Sequence, residues 1–238
     1  MVYFYAFVII SLIILVHEGG HLLAARLASI PVRTFSIGFG PRVVGFTRKG
    51  VDYRLSLIPL GGYIEPAVST EEELYAIPLC RRVIFTLGGV AANIVFAILM
   101  LFIYRMLTQD HLSIVSALLL AGKNAFSFML LITRSIPSLF TNSGDLAGII
   151  GVVQQGGSFI AGNFYQIFSF AGLLSLNLAV INLLPLPVLD GGKALLYALE
   201  KIVPPLRRVS TGLSIAGWIV IMGLTILATS NDIAKLVT

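Results

Sequence analysis

Apolar residues run through this chain in blocks much longer than the turn of an amphipathic helix. Val2–Ala25 holds no Lys or Arg and is apolar around one polar cluster; Ile84–Tyr104, Phe168–Leu189 and Thr211–Ala228 are runs of similar character. Each is about long enough for an α-helix to cross a hydrocarbon layer roughly 30 Å thick. Leu112–Thr133 is also apolar but carries Lys123 and Asn124 at its centre. It is expected to be a helix lying in the interface, with Lys123 reaching water. Leu146–Gly162 is glycine-rich and is expected to be irregular.

The stretch from Thr34 to about residue 66 has another texture. Polar and apolar residues alternate through Val51–Leu57, and Arg48-Lys49-Gly50 precedes them as a hairpin turn. This predicts a small β element. Ile58, Leu60, Tyr63 and Ile64 have no soluble core to enter, so the element is expected to be associated with the membrane. The fold class is therefore an α-helical multi-pass membrane protein forming a single domain. It has four transmembrane helices, a membrane-associated β element after the first, and an interfacial helix before the third.

Composition supports this reading. The 238 residues are 57% hydrophobic and only 11% charged, too little charge to cover a water-facing surface. That excludes an ordinary soluble enzyme, a disordered chain and a nucleic-acid binder. The single cysteine, Cys80, excludes a disulfide scaffold. The first run has no basic segment before it and no small-residue cleavage site after it, so it is expected to be retained. Twelve of the 16 Lys and Arg residues lie in two stretches, Arg26–Arg82 and Lys193–Arg208. By the positive-inside rule both stretches face the cytoplasm, which puts both termini outside it, with the chain in the cell (inner) membrane.

The first run contains His17-Glu18-Gly19-Gly20-His21. Residues four apart share one helix face, so both histidines can bind one Zn²⁺ with Glu18 beside its water. Random placement would produce this pattern roughly 0.001 times in such a chain. Ionisable groups inside a span are costly and mark function. Catalytic zinc needs a third protein ligand. Asp190, Glu65, Glu200, Asp145, His111 and Cys80 are the choices, and Asp190 suits the depth best. Pro185 and Pro187 break the third run just before it. Asn182, Asn177 and Asn93 are candidates for binding substrate backbone or an oxyanion; ordinary interhelical hydrogen bonding is the alternative.

Together these residues resemble the site-2 protease family of intramembrane zinc metalloproteases, and most closely the bacterial regulator of sigma-E protease group. The resemblance is carried by His17–His21, Phe35–Gly40, Ile58–Tyr63, Gly89–Asn93 and Asn182–Gly192, in the family's order. It implies His17, His21 and Asp190 as zinc ligands, Glu18 as general base, and a re-entrant β element near the active site. It also implies a transmembrane protein substrate, such as an anti-sigma factor or a signal-peptide remnant. Two features depart from the family. Arg105–His111 leaves no room for the PDZ domain that normally lies between the second and third spans, and Val90 stands where many members have proline. A metal transporter or sensor using the same ligands is the alternative from another class. It would be expected to show internal repeats and a polar path across the membrane, and the chain has neither. The substrate's identity and the oligomeric state are not legible in the residues.

Overall fold

A computed structural model describes residues 2–141 and 148–237 of the chain. The element order is α1 (Val2–Leu27), β1 (Val32–Arg48), β2 (Val51–Pro66), α2 (Glu71–Ala76), α3 (Leu79–Thr108), α4 (Ile114–Thr141), α5 (Ile149–Ala161), α6 (Gln166–Asn182), α7 (Asp190–Ile202) and α8 (Arg207–Val237). The chain divides into two compact units. One comprises residues 11–93 and 181–211; the other comprises 1–10, 94–180 and 212–238.

In the first of these, α1 stops where Ser29 turns into the left-handed region, φ 53°. Ile30 N–H then donates to Ala25 and Ser29 N–H to Arg26, which satisfies the last carbonyls of the helix. The chain enters β1 and returns through Lys49 and Gly50, both at positive φ, as a tight hairpin needs. Both strands are long and bent, and each pairs more than once. Residues 42–48 pair with 51–56, with Phe46 opposite Tyr53. Phe35 lies opposite Tyr53 on one side and Ile64 on the other. The ribbon 51–56 is therefore interior to the sheet, and among the described residues the edges are 42–48 and 62–66.

The sheet is apolar outside and polar within. Val43, Val44, Phe46 and Leu57 are each 60% exposed or more. Ser36 and Ser56 are buried and hydrogen-bonded at 2.9 Å, buried Thr34 donates to the half-exposed Glu65, and Arg54 pairs with Asp52. A water-soluble sheet has the opposite arrangement, and this inversion suits lipid on the outer face.

Near residue 75 the same unit is joined by stacked cations. The Arg82 guanidinium lies over Tyr75 and Tyr197, 4.9 and 4.8 Å from the ring centres, and Arg207 lies 4.2 Å over Tyr75. These contacts tie the start of α3 to α7 and to the start of α8. The two basic stretches of the sequence are thus brought to one place.

The other unit is helical. Ala97 and Leu101 of α3, Ala121 and Ala125 of α4 and Leu176 of α6 form its core. The small residues Ala117, Ala121 and Ala125 make the buried stripe of α4, while Leu118, Leu119, Phe126 and Leu131 face outward. Residues 149–161 form a helix, contrary to the irregular chain expected from their glycines. Gly156 and Gly157 lie against the rings of Phe170 and Tyr3, where a Cβ would collide. These glycines allow close approach within a helix instead of breaking it. Asp232 of α8 accepts from Gly148 and Gly151 N–H and satisfies the start of that helix.

Four helices are long and apolar enough to cross a membrane: Tyr3–Leu27, Leu79–Thr108, Ile114–Pro137 and Pro204–Ala234. The number four agrees with the sequence reading, but the membership differs. The segment expected to be interfacial, 112–133, lies almost wholly within the 28-residue α4 and qualifies as a span by length and composition. The expected third span, 168–189, is helical only as far as Asn182. Its 17-residue helix reaches about 26 Å, short of the hydrocarbon thickness. Pro185 and Pro187 impose that early end.

The stacked arginines generate a topology test. In a Cys80→Ser background, cysteines placed at Arg81 and at Lys201 should be labelled by an impermeant reagent from the same side of the membrane. Labelling from opposite sides would contradict the contacts between α3 and α7.

Candidate metal centre

The centre lies within the unit formed by residues 11–93 and 181–211. In α1 one turn of helix separates His17 from His21, so both rings leave the same face, and both residues are buried. Glu18 is one position round the helix and only half-buried. Asp190 arrives from a distant part of the chain. After Asn182 the backbone turns through 183–189, with Leu184 N–H donating to Ile181 and Leu189 N–H to Leu186. It then restarts as α7 with Asp190 in the first turn, where the helix dipole favours a carboxylate. Gly191 and Gly192 make this possible. A Cβ on either would overlap the backbone of Leu183 or Leu186.

The three side chains meet through one atom each. His17 Nε2 lies 3.2 Å from His21 Nε2 and 3.2 Å from Asp190 Oδ2; His21 Nε2 lies 3.3 Å from the same oxygen. Tetrahedral zinc with ligands at about 2.0–2.1 Å requires ligand atoms roughly 3.3–3.4 Å apart, so the triangle has the size of one face of that tetrahedron. Two imidazole nitrogens and a carboxylate, converging away from water, also fit the donor chemistry of the ion. No other group of three such side chains is found among the described residues.

Helix α3 closes the other side of the histidines. His21 Nδ1 donates to the Phe85 carbonyl at 2.9 Å, and the Asn93 side-chain amide lies 3.2 Å from His17 Nδ1. Between them Gly89 lies directly against the rings. A Cβ there would be 2.5 Å from His21 Nε2 and 2.7 Å from the His17 ring. One turn away, Gly20 meets the Gly88 backbone and Ala92, whereas Gly19 has open space around it. Of the two glycines in the motif, only the second serves helix packing.

Glu18 interacts electrostatically with His21, His17, Asp190 and Lys193. Its neighbour on the sheet is Gly62, where a Cβ would lie 2.7 Å from Glu18 Cγ. The edge 62–66 therefore passes beside the carboxylate.

The other residues singled out in the sequence lie apart from the triangle. Glu65 pairs with Arg33 and accepts from Thr34. Glu200 is buried in α7, while His111 and Cys80 are exposed. Asp145 lies outside the described residues. Of the three asparagines, Asn93 is fully buried against His17, Asn182 is half-buried at the end of α6, and Asn177 is exposed on that helix within the other unit. The sequence reading missed the Phe85 carbonyl altogether, because a backbone acceptor leaves no mark on residue type.

The model for peptidase family M50 matches residues 5–224 of the chain. A membrane metalloprotease of Arabidopsis thaliana chloroplasts is 26% identical over 83% of this chain and 70% of its own length. Relatives named as zinc metalloproteases include one from Fusobacterium nucleatum, 23% identical over 99% of both chains, and one from Campylobacter jejuni, 25% identical over 96% and 92%. The Fusobacterium alignment is 337 positions long against a chain of 238 residues, so the relative carries on the order of a hundred residues with no counterpart here, the size of a small domain.

Proposed function

The chain belongs to peptidase family M50, and from that premise we propose that it is an intramembrane zinc metalloprotease of the site-2 type. It hydrolyses a peptide bond in or near the transmembrane segment of another membrane protein, such as an anti-sigma factor or a signal-peptide remnant. The observation that carries this reading is the triangle of His17 Nε2, His21 Nε2 and Asp190 Oδ2 with Glu18 at its side. These three residues are the zinc ligands and Glu18 is the general base. Zinc bound there supplies Lewis acidity, polarising a carbonyl and acidifying water. The Glu18 carboxylate takes the proton of the attacking water and delivers it to the nitrogen of the departing amide, which leaves as an amine. Asn182, the last residue of α6, is the amide assigned to substrate.

The basic stretches joined through Arg82 and Arg207 face the cytoplasm, and both termini lie outside it. The site is in the inner membrane near its cytosolic side, and the bilayer is the medium from which substrate arrives. A transporter or sensor is the second reading. It is disfavoured because, among the described residues, no second group of three His, Cys, Asp or Glu side chains continues a path from the triangle.

Substrate backbone has an evident place to bind. A helical segment conceals its carbonyls in its own hydrogen bonds, so the reacting stretch must be extended. The sheet edge 62–66 lies beside Glu18 and pairs on one side only. Substrate adds to it as a further strand.

Glu18→Gln should retain one zinc per chain while hydrolysis falls by about 10²–10⁴-fold. Loss of the metal in that variant, or retained hydrolysis, would contradict the role of Glu18. Prolines introduced one at a time along 62–65 should reduce cleavage at alternating positions with zinc content unchanged, because every second N–H of an edge strand points away from its partner. Prolines along 43–47, the other edge, should have little effect on cleavage. Equal sensitivity of both edges, or loss of zinc along with cleavage, would show the sheet to be purely structural.

A further inference from the structure

Both histidines present Nε2 to the centre, so each ring must hold its remaining proton on Nδ1 when a metal is bound. For His21 the structure settles this. Its Nδ1 lies 2.9 Å from the Phe85 carbonyl, which can only accept, so Nδ1 carries the proton and Nε2 keeps its lone pair. For His17 the partner of Nδ1 is the fully buried side chain of Asn93, whose amide is placed with Nδ2 towards the ring at 3.2 Å. An amide can serve either role. Its nitrogen would donate to Nδ1 and drive the proton to Nε2, where it would block the metal. Its oxygen would accept from Nδ1–H and leave Nε2 free. The two ends exchange by a half-turn of the amide.

We infer that Asn93 is a positioning residue of the metal centre: its Oδ1 accepts from His17 Nδ1–H and so holds the Nε2 lone pair on the metal. This rests on the zinc-site reading above. Phe85, Gly89 and Asn93 are spaced four apart and share one face of α3. That face fixes the proton of His21 at one end and of His17 at the other, and the bare backbone at Gly89 lets both rings lie flush between them. Sequence reading assigned Asn93 to substrate; its contact with His17 gives it a role one step further back. Loss of such an outer partner typically weakens metal binding about 10–100-fold.

The test compares Asn93→Leu, of similar size and without an acceptor, with Asn93→Asp, which can only accept when ionised. Zinc affinity is measured by competition with a chelator, alongside the thermal unfolding of each metal-free protein. Asn93→Leu should bind zinc about 10–100-fold more weakly, and Asn93→Asp should bind at least as tightly as the native protein. Equal weakening in both variants, or no weakening in Asn93→Leu, overturns the inference. Should Asn93→Leu fail to fold, ring ¹⁵N spectra of the zinc-loaded native protein decide. The chain has three histidines, and His111→Ala removes the one outside the site. The His17 ring is expected to carry its proton on Nδ1, and zinc on Nδ1 with the proton on Nε2 overturns the inference. His17→Ala separates the two levels. Zinc lost in His17→Ala but unaffected in Asn93→Leu defeats only the role of Asn93, whereas zinc retained in His17→Ala defeats the site itself.

Discussion

Two imidazoles and a carboxylate, each buried and each aiming an atom at the same point, do not sit together in an apolar protein without a reason. Burying polar groups costs free energy unless each finds a partner, and the cost is higher for a charge. Here the partners on the outer side are supplied by α3, while the inner atoms face one another at 3.2–3.3 Å. A cation of suitable size removes the conflict, since it accepts all three lone pairs at once. Much of the local architecture follows from keeping that triangle intact.

Close approach of backbone is the first consequence. The rings can lie between α1 and α3 only because Gly20, Gly88 and Gly89 carry no side chains at the crossing. Asp190 can reach the same point only because the chain breaks after Asn182 and packs its turn onto Gly191 and Gly192. The sheet is the second consequence. Its exposed apolar face can meet lipid, while its unpaired edge runs against Glu18, where open backbone is tolerated because it is covered by protein or lines a cavity.

What could be read from the residues alone depended on how local the signal was. His17 and His21 follow from helix spacing, and Asp190 from the proline break and the depth of its span, so the triangle was legible before any coordinates. The inverted sheet was legible in part. Its hairpin was placed by Lys49 and Gly50, but alternation through 51–57 does not tell that 51–56 is an interior ribbon. That pairing depends on β1 folding back on itself, which alternation does not encode. The set of helices long and apolar enough to cross differs from the sequence reading in one respect. Lys123 made 112–133 look interfacial, whereas the alanine stripe of α4 gives it a packed face and its leucines an apolar one. Asn93 was recognised as significant, but residue type cannot say which atom an amide faces.

The coordination of the bound metal tests the centre most directly. X-ray absorption at the zinc edge of the purified, zinc-loaded protein should show two imidazoles and a carboxylate oxygen, all at about 2.0–2.2 Å, and no sulfur. A sulfur shell near about 2.3 Å, which would implicate Cys80, or fewer than two imidazoles, would contradict a centre built from His17, His21 and Asp190.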